Sequence, residues 1–440
     1  MTPDSFRALA LAALLSAVPV AARPAPLTVE DAIRTAWTHH EGLRASAAGV
    51  EAARADAGRA SLARLPTLSL QGRAFRTDEP MMAFGTKLDQ GRITQSDFDP
   101  ARLNNPPAIG AVGAGASLQV PLYAGGRLSA AAHAADAMAR AEEASHARRK
   151  DELAAGVVEV YFGAQVADEG LRYADELVAQ ATETERFVRQ RASQGLALEA
   201  DVARAAAFRA QAQAEQAGAA QRRASARSGL ALLVGPEVAE AQLVSTIEAA
   251  TGTAQGEAPR ERADLAAARF QEQAAREGVT AARGSLLPSL AAQASVETLR
   301  TPDLAEGHGW TSLGLVLRWD LSLADGRAVR AARARADAAA SAVAWKTREA
   351  AREVDEARGA ITTADSRARA AEEAVQAAER ARALREARHR QGLLPLTDVL
   401  DAEAALAGAR ALLLGSRLDA RVARARLALA TSMPIEGITP

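Results

Sequence analysis

Four short stretches of the chain alternate apolar and polar residues, and each alternation predicts a β-strand. They lie near residues 66–76, 113–122, 288–299 and 311–322. A period of two places one set of side chains on one face of a sheet and the other set on the opposite face. The apolar face is expected to carry Leu70, Leu118, Val296 and Leu315, and the polar face Ser69, Gln119 and Gln293. Strands of about ten residues have the length that crosses an outer membrane when tilted.

Long alanine-rich segments between these strands predict helices. Residues 128–193 contain no proline and favour a helix throughout. At about 1.5 Å per residue this helix is roughly 95 Å long, more than an ordinary globular domain needs. A return helix is expected as far as Val234, and a second pair of long helices from Arg327 to about Ala430. Residues 77–109 are rich in proline, aspartate, asparagine and glycine and predict a long loop.

Each pair of long helices is interrupted by a similar short breaker sequence. These are RASQGLALEADV at residues 191–202 and RHRQGLLPLTDVLD at residues 388–401. Glycine suits the left-handed residue that ends a helix, and proline suits the first turn of the next one. Both sequences therefore predict a tight turn between antiparallel helices. Matching residues at the two turns are Arg191 with Arg388, Gln194 with Gln391, Gly195 with Gly392, Leu196 with Leu393, Asp201 with Asp398, and Val202 with Val399.

The repeated order of elements indicates an internal duplication. We expect a first repeat at residues 23–236 and a second at 263–432, each with a helix, two strands, a long helix, a turn and a return helix. Residues 237–262 are interpreted as a connector and residues 433–440 as a C-terminal tail. Four strands cannot close a barrel in one chain, and an open edge in lipid leaves backbone groups unpaired. Three chains together would supply twelve strands.

Composition narrows the location of the protein. Residues 1–22 have the features of a secretory signal peptide, with Arg7 ahead of a short apolar run. Hydrophobic residues make up 48% of the chain but aromatic residues only 3%, which favours closely packed alanine-rich helices. The net charge of −1 gives no case for nucleic-acid binding. The sequence has no cysteine, so neither disulfide bonds nor lipid attachment at an N-terminal cysteine is expected.

The sequence offers no arrangement of residues that predicts catalysis, a cofactor or a metal site. Its six histidines show no spacing typical of metal ligands. His308, in an expected outer loop, could contact a metal cargo, but one histidine does not make a site. Glycines at residues 110–115 lack the lysine and spacing of a phosphate-binding loop. We therefore expect that the protein is not an enzyme.

Taken in order, these motifs resemble those of TolC-type outer-membrane efflux proteins. The resemblance covers residues 27 to about 430 and depends on LTVEDAIRTAW at 27–37, PLYAGGR at 121–127 and the two turns. It departs from the family at His39–His40, where an Asn-Pro pair is common. The resemblance implies a mainly α-helical homotrimer whose twelve-stranded membrane β-barrel stands on an α-helical tunnel in the periplasm. Such proteins are passive exit ducts that dock to a periplasmic adaptor and an inner-membrane pump, or to the ABC exporter of a type I secretion system.

The resemblance also assigns roles at the turns. Asp398 and Asp401 match aspartates that ring the periplasmic aperture and set cation selectivity, and Asp201 is the counterpart of Asp398 in the first repeat. The alternative is that these carboxylates only favour the positive end of a helix dipole. Arg204 matches Asp401 and is a candidate for a salt bridge that restrains the closed aperture. The turn residues expected to meet the partner are Gly195, Leu196, Gly392 and Leu393.

Two other classes of protein compete with the duct. A periplasmic adaptor also has helical hairpins, but it needs a lipoyl-like β-domain beside a single hairpin. A secreted enzyme needs a catalytic constellation. The two hairpins and the amphipathic strands favour the duct. The sequence leaves the cargo and the partner pump open.

Overall fold

A computed structural model of the chain describes residues 26–248, 261–320 and 322–435. The expected signal peptide, residues 1–22, lies outside this part. The chain divides into two compact units. We call residues 48–144 with 264–346 the sheet unit, and the remaining described residues the hairpin unit.

Long helices and four long strands account for most of the described residues. In chain order the elements are β1 (Pro26–Leu27), α1 (Val29–His39), α2 (Glu41–Leu62), β2 (Thr67–Thr77), α3 (Pro80–Asp89), α4 (Pro100–Asn104), β3 (Ile109–Tyr123), α5 (Arg127–Ser193), α6 (Glu199–Val234), β4 (Gln242–Leu243), α7 (Ala263–Gly284), β5 (Ser289–Arg300), β6 (Gly307–Arg318), α8 (Leu323–Arg390) and α9 (Leu396–Thr431). Short 3₁₀ turns lie at Gln95–Phe98 and Pro236–Val238.

Within the sheet unit, the four long strands form one antiparallel sheet in the order β2-β3-β5-β6. Its register places apolar residues directly opposite one another, because Leu118 lies between Leu68 and Ala294, and Ala294 faces Leu313. Residues directly opposite in a ladder share a face. The apolar face is open in the single chain: Leu70 is 77% exposed.

Polar side chains form matching rows on the other face. Ser69, Ser117, Ser295 and Ser312 lie side by side across all four strands. The Oγ atoms of Ser295 and Ser312 are 2.7 Å apart, so these hydroxyls are hydrogen-bonded. Gln119 lies opposite Gln293 on the same face. The two-faced pattern expected from the sequence is thus present in the register of the sheet.

The position of His308 differs from expectation. Instead of lying in a loop, it belongs to β6, which begins at Gly307 opposite Arg300 and ends at Arg318. The connection from β5 is short because the Thr301 N–H donates to the Glu306 carbonyl at 2.8 Å. Backbone pairing therefore continues further toward this turn than the side-chain alternation indicated.

Our prediction of a long loop at residues 77–109 was wrong. The segment contains α3, a 3₁₀ turn and α4. Pro80 and Pro100 occupy the first turns of the two helices, and Asp99 caps the second by accepting the Ala101 N–H at 2.9 Å. Proline and aspartate are typical of helix starts as well as of loops. Composition alone did not separate the two uses.

In the hairpin unit, both predicted turns end their first helix in the same way. Gly195 and Gly392 have φ angles of +74° and +78°, the left-handed region in which glycine is favoured. The Leu196 N–H donates to the Arg191 carbonyl at 2.9 Å, and the Leu393 N–H to the Arg388 carbonyl at 3.0 Å. These bonds define a Schellman motif, which satisfies carbonyls at a helix end.

Pro395 stands one position earlier in the second turn than we expected. It has a ψ angle of 161° and lies directly before Leu396, the first helical residue of α9. Its carbonyl already accepts the Asp398 N–H at 3.3 Å. Pro395 is therefore the N-cap rather than part of the first turn.

The core of the hairpin unit is organised around Tyr161, which is fully buried. Its hydroxyl donates to the Leu27 carbonyl at 2.6 Å and accepts the Ser245 N–H at 3.1 Å. β1 and β4 pair in parallel beside it, with Leu27 opposite Leu243. Strands of two residues are too short to show an alternating pattern, so they could not be predicted from the sequence. Tyr161 thus joins the start of the described chain to the segment after α6.

Replacing this tyrosine tests how much the junction contributes to stability. Tyr161→Phe removes one hydroxyl and leaves the partly buried Ser245 N–H without its partner, while the Leu27 carbonyl keeps its bond from the Val244 N–H at 3.1 Å. An unsatisfied donor of this kind costs about 1 kcal/mol. We expect a clear fall in the melting temperature of the purified protein in detergent, followed by circular dichroism.

Tyr123→Phe is the matched control, because Tyr123 is 49% exposed. The same chemical change at an exposed position should leave stability within about 0.5 kcal/mol of the parent. Equal melting temperatures for the two variants would contradict the role given to the Tyr161 hydroxyl.

Candidate functional site

The two turns share one small apolar core in the hairpin unit. Val188, Val202 and Ala205 from the first hairpin pack with Leu396 and Leu400 from the second, and all five are buried. The start of α9, which carries Asp398, is therefore fixed against the first hairpin.

Asp398 and Asp401 lie one turn apart at the start of α9. Asp398 is half-buried and Asp401 is exposed. Within the described part of the chain neither carboxylate forms an ion pair, although the Asp398 carbonyl accepts from Arg385 Nη1 at 3.3 Å. Both charges are therefore available to a ligand or to another copy of the chain.

Asp201 differs from Asp398, its counterpart in the first repeat. The Asp201 Oδ2 accepts the Leu198 N–H at 3.4 Å and so helps to cap its own helix. The residue that matches Leu198 is Pro395, which has no N–H to donate. The second turn thus leaves the Asp398 carboxylate without this capping role. One proline accounts for the difference.

Arg204 is exposed and forms no ion pair within the described chain. The restraint that the sequence suggested for it is not made inside one copy, and it stays a prediction.

A different arginine joins the two hairpins. Arg410 of α9 reaches Glu176 of α5 through Nη1 at 3.3 Å and Glu379 of α8 through Nη2 at 3.2 Å. Its guanidinium also lies over the Tyr173 ring, 5.0 Å from the centroid. Sequence reasoning missed this contact, because Arg410 and Glu176 are 234 residues apart. We call Tyr173, Glu176, Glu379 and Arg410 the clasp.

Tyr173 lies among charges of both signs. Arg172 is also over its ring, 5.1 Å from the centroid, so two cations share one aromatic side chain. Burial, together with the hydrogen bond that the hydroxyl donates to Glu169, raises the pKa of Tyr173. The hydrogen bond from Arg172 lowers the pKa of Glu169. Near neutral pH the group is therefore a set of fixed, paired charges rather than an acid or base for catalysis.

A cleft of about 840 Å³ lies beside the clasp, between α5, α6 and α9. Its walls are mainly alanine, glycine and leucine, and the charged side chains at its edge are paired. Arg382, for example, contacts the buried Glu403 at 2.6 Å. The two hairpins are therefore not packed continuously at this level, and the clasp bridges the gap.

Both turns expose apolar side chains. Leu196 is 62% exposed and Leu393 67% exposed, and a Cβ added at Gly195 or Gly392 would meet no other atom. No group of three or more His, Asp or Glu residues in the described chain is arranged to hold a metal ion. Among the described helices, none has the length and apolar character to cross a membrane.

Comparisons with known proteins agree with this architecture. The sequence pattern of the outer membrane efflux protein family matches residues 32–236 and 255–432. Curated proteins give no significant match. Three similar solved structures are the CmeC outer membrane channel of Campylobacter jejuni, the outer membrane protein VceC of Vibrio cholerae and a membrane protein of Pseudomonas aeruginosa.

The three structures share the fold over nearly the whole chain. CmeC gives a TM-score of 0.80 at 16% identity, with 92% of this chain and 85% of CmeC covered. VceC gives a TM-score of 0.75 at 19% identity, with 92% of this chain and 96% of VceC covered. The Pseudomonas protein gives a TM-score of 0.77 at 22% identity, with 92% of this chain and 93% of that protein covered.

The family match spans both halves of the chain, and so confirms the duplication and the resemblance inferred from the sequence. The family is a class of channels and not of enzymes, and the adaptor alternative is set aside. The chain belongs to the outer membrane efflux protein family and is an outer-membrane exit duct of an efflux system.

Proposed function

We propose that three copies of the chain assemble so that their sheets close a twelve-stranded barrel in the outer membrane. The single observation that carries this proposal is the sheet itself. Its outer strands, β2 and β6, have no further partner in the described chain, and its apolar face is open. Free strand edges are not tolerated in lipid, whereas a closed barrel has none. In this arrangement the sheet holds the protein in the membrane.

The hairpins then form the tunnel in the periplasm, and their turns meet the partners. A periplasmic adaptor would contact the exposed surface of the turns and link the duct to an inner-membrane pump or ABC exporter. This surface is formed by Gly195, Leu196, Gly392 and Leu393. The glycines have no side chain and no neighbouring atoms in the way, so a partner helix would approach the turns closely and pack on the exposed leucines.

Three copies of Asp398 and Asp401 would surround one axis at the closed end of this tunnel. A ring of carboxylates attracts cations and can hold a multivalent one. Neither carboxylate forms an ion pair within the described chain, which supports this role. The case is weaker for Asp201, because its carboxylate already accepts the Leu198 N–H at the start of its own helix.

The clasp would hold the hairpins together while the duct is closed. Opening requires the hairpins to move apart, and Arg410 connects α9 to α5 across the cleft. We propose Arg410 as a restraint within each copy, with Arg204 as a restraint at the turns.

The sheet assignment is tested by arginine at two adjacent positions. Leu118→Arg places a charge on the lipid side, at a cost of about 2–4 kcal/mol near the middle of the membrane, while Gln119→Arg places it in water. We expect loss of heat-resistant trimers from the outer-membrane fraction for the first variant only. Equal assembly of the two would rule out the two-faced sheet in lipid.

The aperture is tested by neutralising its carboxylates. Asp398→Asn combined with Asp401→Asn should reduce the preference for cations severalfold and abolish block by divalent cations, measured by reversal potentials in planar bilayers. Asp419→Asn removes the same charge further along α9 and should change neither property. Unchanged selectivity in the double variant would leave both aspartates as helix-start charges.

The clasp is tested with Arg410→Gln, which leaves Glu379 without its cation and Glu176 with only Arg172, 3.5 Å away on its own helix. We expect normal trimer levels with higher or more frequent open conductance in planar bilayers. Arg222→Gln is the control, because Arg222 borders the same cleft but pairs with Glu215 of its own helix at 2.5 Å. If both variants gate like the parent, Arg410 is not a restraint.

A further inference from the structure

The segment between β2 and β3, residues 78–108, folds back over one face of the sheet. We call it the outer segment. Its helix α3 contacts both β3 and β6. These strands are separated in the sheet by β5. A helix that touches both therefore spans the width of β5.

Burial identifies which face is covered. Ala111 and Leu299 are each only 1% exposed and Gly113 is buried, while their neighbours Ala114 and Arg300 are exposed. Leu299 lies opposite Gly113 in the register. Gly113 is an even number of residues from Gln119 in β3, and Leu299 is an even number from Gln293 in β5. Gly113 and Leu299 therefore belong to the polar face.

Two contacts attach the outer segment to this end of the sheet. Gln90, which is 2% exposed, donates through Nε2 to the Gly110 and Arg300 carbonyls, both at 3.1 Å. The Arg92 Nε contacts Glu306 Oε2 at 2.6 Å, which reaches the turn between β5 and β6. The side chain of Gln90 thus holds the segment to the ends of two strands.

The outer segment is also braced internally. Lys87 Nζ lies 2.5 Å from Oδ1 of the buried Asp97, and Thr94 donates its N–H and hydroxyl to Oδ2. These bonds, the one from Lys87 first, lower the pKa of Asp97 to about 2. Their stabilising effect is complete above the ordinary aspartate pKa and is lost as the pH falls through about 2. The segment is therefore a folded body at neutral pH.

From this geometry we infer that the outer segment is a lid inside the outer mouth of the duct, and that Gln90 positions it. The inference rests on the proposed barrel, in which the polar face encloses the lumen. The long helices continue from the other end of the sheet, since α5 follows Tyr123, so the outer segment lies at the exterior end. Three lids would narrow the outlet and limit the size of solutes that pass.

The test uses thiol labelling of the chain, purified after the reaction, which gives no background of its own because its sequence contains no cysteine. Gln119→Cys places a thiol on the polar face, deeper than the lid. Intact cells expressing it are treated from outside with a small sulfonated maleimide or with a bulky polyethylene glycol maleimide, and each rate is divided by the rate of the same reagent with a free thiol in solution. With the lid in place we expect rapid reaction with the small reagent and slow reaction with the bulky one.

Adding Gln90→Ala and Arg92→Ala should release the lid. The bulky reagent should then react roughly tenfold faster or more, because two hydrogen bonds and an ion pair that favour the closed position are lost. Gln95→Ala with Arg102→Ala is the matched control. The Arg102 side chain donates to Ser96 Oγ at 3.2 Å, within the outer segment itself. The control double variant should therefore leave the rate of the bulky reagent unchanged.

Failure of the lid and failure of the barrel give different results. If Gln119→Cys reacts equally fast with both reagents while the lid is intact, the lid is ruled out and the lumen stands. If no reagent reaches Gln119→Cys, or if Leu118→Cys reacts equally well, the polar face does not enclose a water-filled lumen and the barrel itself is wrong. The comparison of small and bulky reagents leaves the outer segment unchanged, so it does not depend on whether the Gln90→Ala and Arg92→Ala variant folds.

Discussion

The four-stranded sheet has one apolar face, one polar face and two free edges. One copy of this chain does not supply the surroundings that all of these need. Leu118 and its neighbours need lipid, the serine and glutamine rows need water, and the backbone groups at the edges of β2 and β6 need partners. Closure with other copies meets all three requirements together. The roles proposed for the duplicated hairpins, the aspartates of α9 and the outer segment all depend on this closure.

The departures from alternation are as informative as the alternation itself. Ala111 and Leu299 occupy polar-face positions, yet they are apolar and buried under the outer segment. A polar face that faced only water would have no need of leucine. Their burial marks the part of the sheet that the outer segment covers, in agreement with the hydrogen bonds of Gln90.

The two repeats keep the same backbone and differ in chemistry. Both turns use a left-handed glycine and the same pair of Schellman bonds. Pro395, where the first repeat has Leu198, removes one N–H and so leaves Asp398 without the bond that engages Asp201. The two turns are thus equivalent in backbone, and the difference between Leu198 and Pro395 leaves the carboxylate of the second without this bond.

The sequence by itself determined the strands, the long helices and the glycine turns, because periods of two and 3.6 and a positive φ angle are local properties. It also led to the aspartates of α9. Only the tertiary structure decided the clasp, the β1–β4 pair and the covering of the sheet by residues 78–108. Arg410 meets Glu176, and Gln90 meets Arg300, across separations of 234 and 210 residues. A contact between such distant residues leaves no periodic trace in either segment, so it becomes visible only when the chain is folded.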